Sequence, residues 1–477
     1  MHRGVDKYLL YPVKFTGRSR IYPTKFSRRS RSARFASQRG VTLIVVMGIC
    51  LCMVVIALYF SDSMLMEYRA SNYNSEGREA AQAIEAARRY IGYVLKSSET
   101  PGYLPDPVSY ENEAVKVNNA TYWIIGRGDE NTDGKTLTFG LVSEASKLNL
   151  NTATLEMLEA LPGMSAELAA SIIDWRDPDS DPTPNGVESN YYLSLGTPYN
   201  CKNAPFETAE ELRLVMGGNR DVLYGEDLNQ NGILDANEDD GDTLNPPDNA
   251  DGILDPGLLE YVTVYSREPN KRADGSARIN ITTQFPAFRE LRDYLQQTLG
   301  DSKANQIILA IGPEMSMLRS PLEFCVRSKM TAAEFAQISD ALTVSSDQYL
   351  RGLVNVNTAS AKVLACIPGL DSASAEKLVA ARRDKTSDEL KCLAWVVGIL
   401  DENICIQAGP YLTTRSYQFR ADIAAVGENG RGYRRDLMTF DTSGGGDPVV
   451  VYRKDMSRFG WALGAELRKK YSGAVNE

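Results

Sequence analysis

The spacing of apolar residues changes character several times along the chain. From Val41 to Phe60 nothing is charged, and twenty residues at about 1.5 Å each span about 30 Å of hydrocarbon. Ala80, Ile84, Ala87, Ile91 and Val94 then recur at three-to-four spacing, with Glu79, Glu85, Arg88 and Arg89 between them, which is an amphipathic helical stripe. One helix over 41–97 accounts for both patterns, with 41–60 in a membrane and the far end packed on a soluble domain. A plain single-pass anchor accounts for the periodicity equally.

Residues 147–177 carry a helical pattern of a different kind. Leu155, Leu158 and Leu161 line one short helix, and Leu168, Ile172 and Ile173 line a second beyond the Pro162-Gly163 turn. Residues 353–384 repeat the plan at an offset of 206, pairing Asn151 with Asn357, Leu158 with Leu364 and Gly163 with Gly369. A weaker copy starts at Ile279-Asn280-Ile281-Thr282. It continues through a helix near 287–298, a turn at 299–302 and a helix near 303–311. Three copies predict a repeated unit burying its own small core. Between the first and the weaker copy, 172–218 reads as an ordered Pro/Gly/Asn/Asp-rich surface loop followed by a helix near 207–216.

Period-two alternation marks strands at 114–128, 135–142, 411–426, 434–442 and 448–455. The predicted class is therefore α+β: a long N-terminal helix packed on an antiparallel sheet, with a large mainly helical insertion. The boundaries are a basic leader over 1–40, the helix over 41–97, a first part of the α/β domain over 98–146, the insertion over 147–407, and closing strands over 408–470.

Charge alters this picture. Residues 1–40 hold eleven Lys and Arg against one acid, so the remaining chain has 52 − 11 = 41 basic and 62 − 1 = 61 acidic residues, a net −20. So acidic a body is repelled by phosphate backbones. NxNTA followed by a short helix and a Pro-Gly turn is how many DNA-binding helix-hairpin-helix modules begin, and there a Gly-apolar-Gly triplet lets backbone N–H groups approach phosphate. Here the triplets are Gly163-Met164-Ser165 and Gly369-Leu370-Asp371. The second glycine is missing in both, and Asp371 places a carboxylate where phosphate would sit. Arg382 and Arg383 read as a solvated helix face. Nucleic acid is therefore not expected as a partner. A membrane-anchored DNA-binding helix-hairpin-helix protein of the competence type remains the competing reading.

The single histidine is His2. That removes Ser-His-Asp and Cys-His nucleophile systems and most catalytic zinc sites, and no enzyme is expected. The seven cysteines show no CxxC spacing. Cys366 lies in an apolar helical pattern, and a Cys392–Cys405 bridge is open in an oxidising compartment.

Residues 227–238, DLNQNGILDANE, match D-x-[DN]-x-[DN]-G-x5-E at every defined position. Asp227, Asn229 and Asn231 offer side-chain oxygens, Gly232 permits the sharp turn, Ile233 offers its carbonyl, and Asp235 and Glu238 complete an oxygen shell for calcium. Leu234 is expected to pack inward. Asn249, Asp251 and Asp255 echo Asn229, Asn231 and Asp235 as a second site. That copy lacks acids at its first and twelfth positions (Pro247 and Leu258), for which Asp248 or Asp242 could substitute. The stretch 221–260 holds twelve acids and no Lys or Arg, so calcium is expected to order it.

Arg39-Gly40 directly before the apolar run, with the amphipathic continuation, resembles type IV pilins and the pseudopilins of type II secretion. A secretory signal peptide is the rival, but the apolar run is long for one and no A-x-A site follows. The resemblance implies cleavage by the prepilin peptidase after Gly40, making Val41 the first mature residue. It also places Val45 at the fifth position, where most members carry a Glu that supports subunit assembly. The Val41 helix, the 147–218 region and the NxNT repeats are together similar to the general secretion pathway protein K family of minor pseudopilins, which also lacks that Glu. This implies a pilin-like fold with inserted helix-hairpin-helix, or SAM-like, repeats and a place at the pseudopilus tip. It further implies I- and J-type minor pseudopilins as partners, calcium binding, and a single-pass inner-membrane protein with its C-terminal domain in the periplasm. A calcium-binding minor pilin of a type IV pilus is a further reading.

Overall fold

The computed structural model describes residues 39–473 except 99, 129–133, 242, 245 and 283–286. Residues 1–38 of the basic leader lie outside the described residues. The chain divides into two compact units, before and after the Tyr68–Arg69 link. Arg39–Lys96 is one helix of 58 residues, continuous through both apolar patterns. All residues from Val41 to Ala70 are exposed, and the helix is long and apolar enough to cross a membrane, its most apolar 18 residues having a mean hydropathy of 3.1.

In the second unit the helix turns Ala80, Ala83, Ile84, Ala87, Ile91 and Leu95 onto a sheet. The three alanines bring the two backbones close, and the larger residues fill the space between. The sheet is antiparallel, in the order Val115–Val117, Ala120–Ile125, Gln418–Val426, Arg434–Asp441, Val449–Asp455, with Val142–Ser143 pairing beside Phe419 and Arg420. Pleating sorts its residues. Tyr122, Ile124, Phe419, Ala421, Ile423, Met438 and Phe440 face the helix. Trp123, Ile125, Ala424 and Val426 form a second core on the other face with Ala462 and Leu463.

Three strand expectations need correction. The 114–128 strand is a hairpin, because Asn118 adopts a left-handed φ of 52°, a conformation Asn tolerates better than most residues. The 135–142 strand shrinks to a bridge at Phe139 plus Val142–Ser143. Val115–Val117 already fills the Ala120–Tyr122 part of the outer Ala120–Ile125 edge, which leaves only its Ile124–Gly126 end for Phe139 and its neighbours. The 411–426 strand breaks into Leu412–Thr413 and Gln418–Val426, since the Arg415 N–H folds back to Thr413 Oγ1 at 3.1 Å.

The middle of the chain builds three helical units, each closed by a two-residue parallel pairing. Leu148–Asn149 pairs with Val262–Thr263, Ile279–Asn280 with Leu342–Thr343, and Val354–Asn355 with Leu412–Thr413. Every opening Asn accepts the N–H two residues on: Asn149 from Asn151 at 2.9 Å, Asn280 from Thr282 at 3.0 Å, Asn355 from Asn357 at 2.9 Å. Every closing Thr does likewise through Oγ1, from Tyr265, Ser345 and Arg415 at 3.2, 3.2 and 3.1 Å. One apolar core runs through the units from Leu148 to Leu412.

The helices either side of the turns are Leu155–Glu159 and Ala166–Arg176, Ala287–Leu299 and Asp301–Ile311, and Ala361–Leu364 and Ser372–Arg382. The helix expected near 207–216 is a six-residue 3-10 turn, Ala209–Leu214, opened by a Thr208/Glu211 capping box. The cysteines are free, so no Cys392–Cys405 bridge forms. Cys392 is half-buried, and buried Cys405 points its thiol at the Leu400 carbonyl.

Candidate metal centre

The loop beginning at Asp227 wraps around its own oxygens. Asp227 is 4% exposed, and its carboxylate accepts the N–H groups of Asn231 and Gly232, both at 2.9 Å. Asn229 Oδ1 also accepts from Asn231 N–H, and Asn231 Oδ1 accepts from Ile233 N–H, each at 2.9 Å. Glu238, 1% exposed, closes the ring by accepting from Leu228 N–H at 3.2 Å and Asp235 N–H at 3.0 Å. The structure thus brings Asp227, Asn229, Asn231, Asp235 and Glu238 together. Gly232 takes a φ of 77°, and a Cβ there would press within 3.0 Å of the Arg127 side chain. At the neighbouring position, it is Ile233 whose side chain is buried, while Leu234 is half-buried. The Leu234 N–H is held instead by the Gly134 carbonyl at 2.8 Å.

Cations from outside the loop hold its backbone. Arg435 is fully buried, paired to Asp422 at 2.7 and 2.5 Å, and its guanidinium donates to the carbonyls of Asn229 and Gln230. Arg127 donates to the Gln230 carbonyl at 3.1 Å and to Glu260 at 3.1 Å. None of these cations forms an ion pair with Asp227, Asp235 or Glu238 among the described residues. Burial pushes Asp227 up to about 6, against the lowering pull of Arg127. Burial pushes Glu238 up to about 8, more than the Asp235 N–H draws it down. Glu260 differs: burial would raise it, but Arg127, Lys147 and Arg420 hold it at about 2.

The donors are all oxygens, two of them on buried carboxyls, and this set fits a hard divalent cation. The side-chain amides of Asn229 and Asn231 donate to Asp235 Oδ2 at 2.7 and 3.0 Å. A half-rotation of either amide exchanges its N–H2 for an oxygen.

The second loop has the same shape. Gln230 and Ala250 share φ values of 56° and 52°, and Gly232 and Gly252 both sit at 77°. Asn249 Oδ1 accepts from Asp251 N–H at 2.9 Å and Asp251 Oδ1 from Ile253 N–H at 2.8 Å. Its missing acids come from elsewhere. Asp239 accepts the Gly252 N–H at 3.0 Å, as Asp227 does for Gly232. Glu226 accepts the N–H groups of Asn249 at 3.2 Å and Asp255 at 3.0 Å, the part Glu238 plays in the first loop. Asp248 accepts the N–H groups of Asp240, Gly241 and Ala250. Asp242 lies outside the described residues. Glu226 and Asp239 were invisible to the spacing rule, since both precede the loop they complete.

Of the remaining predicted site residues, Val41 and Val45 are exposed on the long helix, Val45 at 54%, and Gly40 is the second residue of that helix. The helix N-termini after the Pro-Gly turns are capped from within the chain. Ser165 accepts from Leu168 N–H and Asp371 from Ser374 N–H. Arg382 is no solvated face: it donates to the carbonyls of Val356 at 3.2 Å and Ala359 at 2.6 Å. Arg176 does the same to Leu150 and Ala153 in the first unit.

Two models of the family described as type II secretion system (T2SS), protein K, match residues 141–224 and 354–390. These are the first and third helical units' opening halves. A Type II secretion system protein K of Klebsiella pneumoniae is 36% identical over 66 residues, which is 14% of this chain and 20% of that protein. A solved structure, the GspK-GspI-GspJ complex from the enterotoxigenic Escherichia coli type 2 secretion system, is similar at a TM-score of 0.39 and 12% identity, covering 82% of this chain and 97% of that chain. Over 141–224 and 354–390, this chain is similar to the type II secretion system protein K family.

Proposed function

We propose that this protein is a minor pseudopilin of the type II secretion system that sits at the pseudopilus tip and supports protein export across the outer membrane. The observation that carries this reading is the pair of family matches at 141–224 and 354–390, on a chain whose 58-residue helix begins at Arg39-Gly40. It works by assembly rather than catalysis. The helix enters the fibre's bundle from the inner membrane, and the remainder is a pilin-like domain in the periplasm whose insertion is built of helix-hairpin-helix, SAM-like units. I- and J-type minor pseudopilins are its partners, and the prepilin peptidase cleaves between Gly40 and Val41. Val45 leaves the chain without the fifth-position carboxylate of repeating subunits, which suits an end position, and the bulky insertion prevents another subunit from stacking above.

Calcium is the proposed cofactor, held by Asp227, Asn229, Asn231, the Ile233 carbonyl, Asp235 and Glu238. A second ion is held by Asn249, Asp251 and Asp255 with Glu226 and Asp239. Its role is structural: it supplies the positive charge that the 221–260 segment lacks and keeps the insertion rigid.

N-terminal sequencing of the mature protein, from cells with and without the peptidase, tests the reading. A peptidase-dependent start at Val41 supports it, and any other start removes the pseudopilin assignment.

A further inference from the structure

We infer that the cavity between the closing segments of the second and third helical units takes an extended acidic segment of another polypeptide, which adds a strand beside Tyr349–Arg351. The cavity is walled by Leu342 and Thr343 of one closing pair and by Leu412 and Thr413 of the other. Its volume of about 820 Å³ lies within the range of about 300–1,000 Å³ in which ligand sites fall.

An open strand edge forms part of the wall. Arg267–Pro269 and Tyr349–Arg351 pair antiparallel, with Arg267 opposite Arg351 and Pro269 opposite Tyr349. Asn270 N–H donates to the Gln348 carbonyl at 3.0 Å, and Gly352 N–H to the Ser266 carbonyl at 3.2 Å. Opposed residues in such a ribbon alternate between bonded and non-bonded pairs. Arg267/Arg351 and Pro269/Tyr349 are therefore the non-bonded pairs, and their main-chain groups point outward. On one side, the Arg267 N–H is taken by Gln418 Oε1 at 2.9 Å. On the other, the N–H and C=O groups of Tyr349 and Arg351 carry no hydrogen bond among the described residues. Tyr349, Leu350 and Arg351 all line the cavity. A free edge of this kind recruits an incoming strand through main-chain bonds, with alternate side chains entering pockets. Phe335, Val344 and Leu393 supply the apolar part of the lining.

Charge selects the occupant. Arg267 and Arg351 stand directly opposite one another, where like charges repel. Arg267 is relieved by Asp441 at 2.5 Å, whereas Arg351 is exposed and has no ion pair among the described residues. Five Lys and Arg side chains line the cavity against three acids, although the chain beyond its leader is strongly acidic. The acids are already engaged. Glu268 accepts from Arg278 at 3.0 Å and from Thr413 Oγ1 at 2.7 Å. Asp340 is held by Arg415 and the Ala273 N–H, and Asp347 accepts from Ser345 Oγ at 3.1 Å. Carboxylates on an incoming strand thus meet an uncommitted guanidinium at the edge itself.

The test titrates the detergent-solubilised full chain, in calcium, into short fluorescein-labelled peptides that alternate glutamate with varied apolar residues, read by anisotropy. At least one sequence is expected to bind saturably, and its lysine counterpart at least about tenfold more weakly. Arg351→Glu, at an exposed position, should lower the affinity at least about tenfold with circular dichroism unchanged. N-methylation of alternate peptide nitrogens removes the donors for the Tyr349 and Arg351 carbonyls and should cost as much. Hydrogen exchange at the Tyr349 and Arg351 N–H groups should slow when the peptide is bound. Absence of saturable binding, equal binding of the lysine form, or indifference to Arg351→Glu or to N-methylation overturns the site. The pseudopilin reading is tested separately, at the Gly40–Val41 bond, and stands or falls independently of this outcome.

Discussion

Glu226 and Glu238 play matching parts in successive loops. Glu238 bridges the N–H groups of Leu228 and Asp235, and Glu226 bridges those of Asn249 and Asp255, each reaching across its loop with both oxygens. The second loop is thus closed by a residue that precedes the first. Glu238→Gln and Glu226→Gln are each expected to weaken calcium at their own loop about 10–100-fold, leaving the other loop's affinity nearly unchanged. Calorimetric titration of the two variants checks this. An indifferent Glu226→Gln would remove the second site.

Calcium should stabilise more strongly as pH rises. The folded values of Asp227 and Glu238, about 6 and about 8, lie above unfolded carboxyl values of about 4. A raised carboxyl favours its neutral form in the fold. Calcium-free stability is therefore full below about pH 4 and is lost as pH climbs through 6 and then 8. A bound cation offsets that loss, on the order of a few kcal/mol. Melting curves with calcium and with chelator should nearly coincide at pH 5 and separate by several degrees at pH 8.

Arg435 ties the sheet to the first loop. Its pair with Asp422 is fully buried, so removing one partner strands the other's charge. Arg435→Gln and Asp422→Asn should each cost about 3–5 kcal/mol in a denaturant titration. Arg435 also donates to the carbonyls of Asn229 and Gln230. Arg435→Gln should therefore reduce calcium affinity further than Asp422→Asn does, which calorimetry reads directly.

Local patterns in the sequence carried the long apolar helix, the opening Asn of each unit and the Asp227 loop, because a run, a period or a fixed spacing encodes each one. Long-range placements did not show. The closing segments YVTVYS, ALTVSS and YLTTRS (261–266, 341–346 and 411–416) share a Thr turn, yet they are too short and too distant from their openings to announce a pairing. Glu226, Asp239, Arg127 and Arg435 reach the candidate site only through folding, and Arg435 lies far along the chain from Asn229. The cations around Glu260 are likewise absent from its own stretch of sequence, since Lys147, Arg127 and Arg420 reach it from other segments.

That triad sets an acid limit. Glu260 has a folded value of about 2, below the unfolded range of about 4. Its contribution is present above about pH 4 and is lost as pH falls towards 2. Glu260→Gln should lower stability at pH 7, leaving Lys147 buried without its neighbour, and should flatten the acid limb of a stability profile between pH 4 and 2. An acid limb as steep as in the unaltered protein would show that other carboxylates govern it.

Arg176 and Arg382 decide between a scaffold and a DNA-contacting motif. Each guanidinium reaches back to two carbonyls of its unit's opening turn, Arg382 to Val356 and Ala359, and Arg176 to Leu150 and Ala153. Arginine's fork suits such paired acceptors, whereas lysine presents a single ammonium. Charged-donor bonds contribute about 1.5–3 kcal/mol each. Arg382→Gln should therefore cost about 2–4 kcal/mol in a urea titration, with Arg382→Lys recovering only part. If the units are scaffolding, neither substitution has any DNA affinity to alter, and the solubilised full chain shows no salt-dependent binding to duplex DNA. Binding that weakens with salt and falls on Arg382→Gln, at unchanged stability, would instead make this arginine a phosphate contact.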